Sequence, residues 1–194
     1  VSGSDRAITL GGRPTVSIPP NGLVLSDPVK LNVPAGGDLA VSMFLPKQTV
    51  GAGVHYGAQQ TSYIAKGDVT GAVELSEPET IRSWAFLTGV EVTAPASASA
   101  IVAFGDSITD GARSTADANR RWPDVLAERL RARKGAKPVA VINAGIGGNR
   151  ILHDGGNVRF GMNALARCER DALSYPRVKY IVILEGINDL GHPG

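Results

Sequence analysis

The sequence predicts an all-β sandwich or jelly-roll-like domain over residues 1–94, followed by a parallel, doubly wound α/β domain over residues 101–194. Three observations carry this. Residues 1–94 alternate apolar and polar side chains in short runs between turn signals. Residues 95–100, Pro-Ala-Ser-Ala-Ser-Ala, read as a small-residue linker. Beyond it, continuous apolar runs alternate with helical periodicity, the pattern of strands buried on both faces by crossover helices.

Within the first part, Thr15-Val16-Ser17-Ile18, Leu39-Ala40-Val41-Ser42-Met43, Ile81-Arg82-Ser83-Trp84-Ala85-Phe86 and Val90-Glu91-Val92 have the period of two expected of strands. Gly11-Gly12, Pro19-Pro20-Asn21-Gly22, Pro34-Ala35-Gly36-Gly37 and Gly67-Asp68 separate such runs with turn chemistry. No internal repeat is visible. Within the second part, Ala100–Phe104, Val139–Ile142 and Tyr180–Leu184 are apolar throughout and predict three buried strands. Trp122–Lys134 predicts a helix, with Pro123 in its first turn and Val125, Leu126 and Leu130 on one face. Ala164–Leu173 predicts another.

Composition narrows the function classes. Hydrophobic residues make up 43% of 194, enough for a sizeable core. Lys plus Arg number 20 against 18 Asp plus Glu, so a net charge of +2 makes no case for a nucleic-acid or anionic-membrane partner. The basic stretch Arg129–Lys134 reads as the solvated end of a helix, where cations suit the dipole. No apolar run approaches the roughly 18 residues of a membrane span, and Val1-Ser2-Gly3-Ser4-Asp5 lacks the features of a signal peptide. Cys168 is the only cysteine, so no internal disulfide forms, a structural zinc site is not expected, and Cys168 reads as helix filler.

Each predicted parallel strand runs directly into a polar, glycine-rich turn. These are Gly105-Asp106-Ser107-Ile108-Thr109-Asp110-Gly111, Asn143-Ala144-Gly145-Ile146-Gly147-Gly148-Asn149-Arg150 and Glu185-Gly186-Ile187-Asn188-Asp189. In an open parallel sheet all three lie at the carboxyl edge, where such folds place ligands. Ser107 follows a strand and precedes a turn, so its hydroxyl can project from that edge. A serine needs a base to become a useful nucleophile, and the oxyanion it creates on an ester needs aimed donors. Gly148 can offer a closely approaching backbone N–H, Asn188 an uncharged NH2, and Ser107 its own N–H. Taken singly, each turn has a plain structural reading. Gly105-Asp106-Ser107 could be an Asx turn and Asn188-Asp189 a cap. Glycines 145–148 could be a phosphate cradle, but neither Gly-Lys-Ser/Thr nor the dinucleotide spacing follows. Three such turns in one order at one edge are what favour chemistry.

In that order and spacing the three blocks resemble those of the SGNH, or GDSL-type, serine hydrolases. Gly105-Asp106-Ser107 is similar to their first block, Asn143–Asn149 to their second, and Gly186-Ile187-Asn188-Asp189 to their third. The resemblance covers residues 101–190; the β-rich first part looks like the N-terminal domain of a two-domain subset. It implies a flavodoxin-like sheet of strand order 2-1-3-4-5, of which three strands are present, so the domain is read as truncated. It implies carboxylic ester hydrolysis through a serine acyl-enzyme, on short acyl or acetyl esters and carbohydrate esters among them. Ser107 would be the nucleophile, with Ser107 N–H, Gly148 N–H and the Asn188 side chain holding the oxyanion. It needs no metal and no cofactor, and it implies a secreted or periplasmic setting. A histidine three residues after an aspartate would be the base. That block lies well beyond the third block in the family, whereas the chain ends at Gly194. His55, His153, beside Asp154, and His192 all read as loop residues. The base is therefore expected on a second fragment or chain carrying Asp-x-x-His, with the supplied chain feebly active alone. Two other readings are a glycan-binding β module attached to an inactive hydrolase fragment, and a nucleotide-binding domain, which lacks a phosphate loop.

Overall fold

The structure is a computed structural model and describes residues 3–20, 22–49 and 53–191 of the chain. Its contacts divide the chain into two compact units. The first comprises residues 1–54 and 63–79, the second residues 55–62 and 80–194. Residues 80–94 and the short segment 55–62 thus fall with the α/β part, and the division does not coincide with residues 95–100.

The sandwich expected over residues 1–94 is not what the described residues form. They contain four strands of two or three residues: β1 (Val54–His55), β2 (Ser62–Ile64), β3 (Glu79–Ile81) and β4 (Trp84–Ala85). β1 pairs with β4 and β2 with β3, as two separate ladders. The rest is extended chain, turns and one isolated bridge, Leu10 to Arg13. Alternation specifies an extended backbone; it does not supply a partner strand in register. Pro14, Pro19, Pro20, Pro28, Pro34 and Pro46 also remove ladder donors along this stretch. Apolar members of the pattern stay in solvent, with Leu23 78% and Leu25 73% exposed.

The second part forms strands where the apolar runs predict them, but only the central one, Ser99–Gly105, is buried. The strand over Val139–Gly145 is half-buried and that over Val178–Leu184 largely exposed, with Tyr180 and Ile183 each 64% exposed, because each has a partner strand on one side only. β5 (Ser99–Gly105), β6 (Val139–Gly145) and β7 (Val178–Leu184) make one sheet in the order β6-β5-β7, both pairings parallel. This is the 2-1-3 order the resemblance implies. β5 takes in Ser99 and Ala100, so the last two linker residues are strand. The register sets Gly105 opposite Gly145 on one side and Leu184 on the other. All three strands therefore end at one level, and each is followed there by its polar turn.

The helices are short where they meet this edge. α1 (Ser107–Asp110) is a single turn capped by the Asp106 carboxylate, which accepts from Ile108 N–H at 2.9 Å. α2 (Trp122–Ala132) opens on Pro123, and the Asp124 carboxylate accepts from Arg121 N–H at 3.0 Å. α3 (Ala164–Cys168) continues as a π-helical turn over Glu169–Leu173. α4 (Ile187–Gly191) follows β7. Val102, Phe104, Ala164 and Ala172 form the buried core, with Ile142, Ala144, Cys168, Tyr175, Val178 and Ile181 packed against it. Cys168 thus fills space, as the sequence predicts. Among the described residues no helix is long and apolar enough to cross a membrane.

The largest fully buried side chain is a charged one, Arg167 of α3. Its Nη2 donates to Gly105 O at 2.9 Å and its Nη1 to Ala144 O at 2.8 Å, at the ends of β5 and β6. Nη2 also reaches Glu185 Oε1, just past β7, at 3.3 Å. Nε donates to Asn149 Oδ1 at 2.8 Å, and the guanidinium lies 4.0 Å from the Phe104 ring centroid. One side chain thereby joins all three strand ends. Removing one partner of a buried, hydrogen-bonded ion pair costs about 3–5 kcal/mol. Arg167→Ala is expected to lose that much unfolding free energy in urea titration. Leu165→Ala on the same helix, at a position 69% exposed, is expected to change it by only about 0.5 kcal/mol. Equal small losses would show that the network carries no stability.

Candidate active site

Glycine lets the first two blocks approach one another. A Cβ on Gly145 would collide with the backbone of Thr109 and Asp110, so α1 can sit on the end of β6 only if residue 145 has no side chain. A Cβ on Gly105 would likewise meet Thr109 and the Leu184 carbonyl. The contact is then fastened by polar bonds. Asn143 Nδ2 donates to Thr109 O at 2.9 Å, and Ile146 N–H to Gly105 O at 2.9 Å.

Ser107 begins α1, where N–H groups of the first turn have no partner within the helix. It is partly buried, while Asp106 before it and Thr109 after it are fully buried. The second block runs beside it. A Cβ on Gly147 would lie 4.0 Å from the Ser107 Cβ and 3.4 Å from Asp110 Oδ2, and Gly147 N–H itself donates to Asp110 Oδ2 at 3.1 Å. Gly148 has φ +77, and the Phe160 ring occupies the space a Cβ would need. Glycine is required there on both counts. The buried Asn149 completes the loop: its Nδ2 donates to Phe160 O at 2.8 Å and to Met162 O at 2.7 Å, and its Oδ1 accepts from Arg167.

The third block joins through Asn188, which is partly buried on α4. Its Nδ2 donates to Asn149 O at 2.9 Å, and Asp189 beside it accepts from Ile151 N–H at 3.0 and 3.1 Å. Ser107, Gly148 and Asn188 are therefore linked residue to residue, through Gly147 and Asn149.

The histidines divide. His153 is exposed, and Asp154 beside it accepts from both nitrogens of Asn163, at 2.8 and 2.9 Å. His192 lies outside the described residues. It follows Asp189 by three, the Asp-x-x-His spacing; the Asp189 carboxylate accepts from Ile151 N–H. His55, read as a loop residue of the β-rich half, is in β1 and its Nε2 is 2.6 Å from Asp110 Oδ1. Sequence reasoning also missed Asp110, Asn149, Arg167 and Glu185. Arg167 and His55 carry no local signal; Asn149 and Glu185 sit inside the quoted blocks and could have been weighed. Among the described residues no group of three or more His, Cys, Asp or Glu side chains could hold a metal ion.

Charge is concentrated around the turn that carries Ser107. Burial pushes the Glu185 carboxyl above its usual range, the Asp106 charge adds to this, and Arg167 offsets part of it. Asp106 Oδ2 and Glu185 Oε2 are buried without hydrogen-bond partners. Burial pulls the Arg167 pKa down, opposed by Asp171 and Glu185. A carboxyl raised in the fold binds its proton more tightly in the native than in the unfolded chain. Its stabilising contribution is present at low pH and is lost as pH rises through its native value. The unfolding free energy of the wild type minus that of Glu185→Gln is therefore expected to fall between about pH 4 and pH 7. Urea titrations at the two ends check this, and a difference that rises with pH would contradict the raised carboxyl.

Residues 103–194 match the model of the GDSL-like lipase/acylhydrolase family. No curated protein matches the chain. Among solved structures, one similar chain is AlinE4, described as an SGNH-hydrolase family esterase. The identity is 26% and the TM-score 0.38, over 48% of this chain and 42% of that one. The chain thus spans less than half the length of that protein.

Proposed function

We propose, from the match of residues 103–194 to the model of the GDSL-like lipase/acylhydrolase family, that this part of the chain hydrolyses carboxylic esters through an acyl-enzyme on Ser107. The observation that carries the reading is the linkage of the three blocks: Ser107 beside Gly147, Gly148 next in the chain, and Asn188 bonded to Asn149 at 2.9 Å. In this mechanism the Ser107 oxygen attacks the ester carbonyl as its proton passes to a base. The carbonyl oxygen becomes an oxyanion facing Ser107 N–H, Gly148 N–H and Asn188 Nδ2. Collapse expels the alcohol and leaves the acyl-serine, which water then cleaves. Only one hydrogen of the Asn188 amide is used by Asn149 O, so the other remains for the oxyanion. Short acyl groups, acetyl on carbohydrate among them, are the proposed substrates. The base is proposed to be the histidine of an Asp-x-x-His segment of the family, brought by a second piece or chain.

A fluorophosphonate probe, applied in the presence of the base-carrying segment, tests the nucleophile directly, because it phosphonylates an activated serine and stops there. Labelling is expected at Ser107 and is expected to vanish in Ser107→Ala; a labelled Ser107→Ala protein would refute the assignment. For p-nitrophenyl acetate turnover in the presence of the base-carrying segment, Asn188→Ala is expected to lower kcat by about 10²–10³-fold with little change in KM. A change confined to KM would mean that Asn188 binds ground-state ester instead.

A further inference from the structure

The geometry points to His55 and Asp110 as a positioning pair of the hydrolytic site, His55 supplying the counter-charge that Asp110 needs where the oxyanion forms. The inference rests on the acyl-transfer reading of Ser107. It adds a residue 55 positions before Asp110, outside the family-matched segment 103–194.

Asp110 is three residues after Ser107 on the single turn of α1, and its carboxylate serves two neighbours. Oδ2 accepts from Gly147 N–H at 3.1 Å, which fixes the Ile146–Gly147 peptide, one before the peptide that carries the Gly148 N–H. Oδ1 takes His55 Nε2 at 2.6 Å. The Asp110 side chain is only 11% exposed, while that of His55 is 40% exposed. The carboxylate is thus held close to Ser107 with little solvent to screen it. A bare negative charge there opposes the charge that develops on a substrate carbonyl, and low solvation enlarges the effect. An imidazolium on its second oxygen cancels that charge and leaves the hydrogen bond to Gly147 in place.

The placement of His55 is built in by several contacts. Arg121 Nε donates to Asp110 O at 2.9 Å while its Nη2 donates to Ala58 O. Asp117 N–H donates to Gln59 O at 2.9 Å, and the Asp117 carboxylate takes Thr61 N–H at 2.6 Å and Thr61 Oγ1 at 2.7 Å. A Cβ on Gly57 would lie 3.5 Å from Asp110 Oδ2, so the chain passes directly over the carboxylate. Residues 58–61 are thus fastened to the loop that follows α1, three residues beyond His55.

The test is the rate of fluorophosphonate labelling in the presence of the base-carrying segment. It is read as a maximal rate and a half-saturating probe concentration. His55→Ala is expected to lower the maximal rate on the order of tenfold, less than the loss of an oxyanion donor, with half-saturation unchanged. Adding Asp110→Asn to His55→Ala is expected to restore several-fold of that loss, because the amide oxygen still accepts from Gly147 while the charge is gone. Both proteins lack the imidazole, so a packing defect left by His55 cannot produce the gain. His55→Gln, a donor without charge, is expected to stay below the wild type. A double variant no faster than His55→Ala, or His55→Gln or His55→Ala equal to the wild type, would overturn the counter-charge role. Labelling that persists in Ser107→Ala would instead overturn the acyl-transfer reading on which it rests.

Discussion

The guanidinium of Arg167 is the constraint on which the sheet edge depends. It donates to backbone carbonyls at the ends of β5 and β6, to Asn149 in the loop after β6, and to Glu185 after β7. Strand-end carbonyls that turn away from the ladder need other donors, and a buried one left unpaired costs free energy comparable to a lost hydrogen bond. A guanidinium offers five N–H groups in a rigid plane, so one side chain can satisfy several such carbonyls. Its apolar face is used as well, lying on the buried Phe104 ring. The same group that completes the core therefore sets the spacing of the three polar turns. The proposed chemistry inherits its geometry from a packing requirement.

That arrangement has an electrostatic consequence. Asp106, Asp110 and Glu185 all approach the turn that carries Ser107, and Asp106 and Asp110 are buried. Asp106 is needed to cap α1, Asp110 to hold Gly147, and Glu185 to pair with Arg167. Each is explained by structure, yet together they put negative charge where the proposed acyl transfer would develop more of it. The partners of two of these carboxylates come from different parts of the chain: Arg167 from α3, facing Glu185, and His55 from β1, facing Asp110. Arg167 is enclosed, and His55 is partly open to solvent.

What was legible in the sequence follows from how local each signal is. A strand of a parallel sheet writes itself as an unbroken apolar run, although of the three only β5 is buried along most of its length. A turn that must pass close to another backbone writes itself as glycine, so β5, β6, β7 and their three turns could be read directly, as could the 2-1-3 order once the blocks were matched. Arg167 could not, because an arginine at that position of α3 looks like any solvated helix residue. His55 could not either, since its partner is 55 residues away and nothing in its neighbours Val54 and Tyr56 points to a site. The sandwich over residues 1–94 was over-read for a different reason. Alternation in Thr15–Ile18 or Leu39–Met43 records which side chains could share a face, but sheet formation depends on cross-strand neighbours that alternation does not specify.

The loop after β6 shows how little freedom remains around Gly148. Its left-handed φ excludes most side chains, and Phe160 fills the space beside it. Phe160 is in turn fixed through its carbonyl by Asn149 Nδ2, and Asn149 by Arg167. The aromatic ring, the glycine N–H and the guanidinium are thus serial parts of one assembly. A group that reorganised during reaction would forfeit part of its electrostatic stabilisation, so donors to an oxyanion act best when already fixed. Gly148 is fixed from three directions: by Phe160 at its α-carbon, by Gly147 held on Asp110 before it, and by Asn149 buried after it. The glycine-rich sequence of this block is accordingly not a mark of flexibility. Its glycines are where neighbouring groups come too close for a side chain, and those neighbours are what hold the loop still.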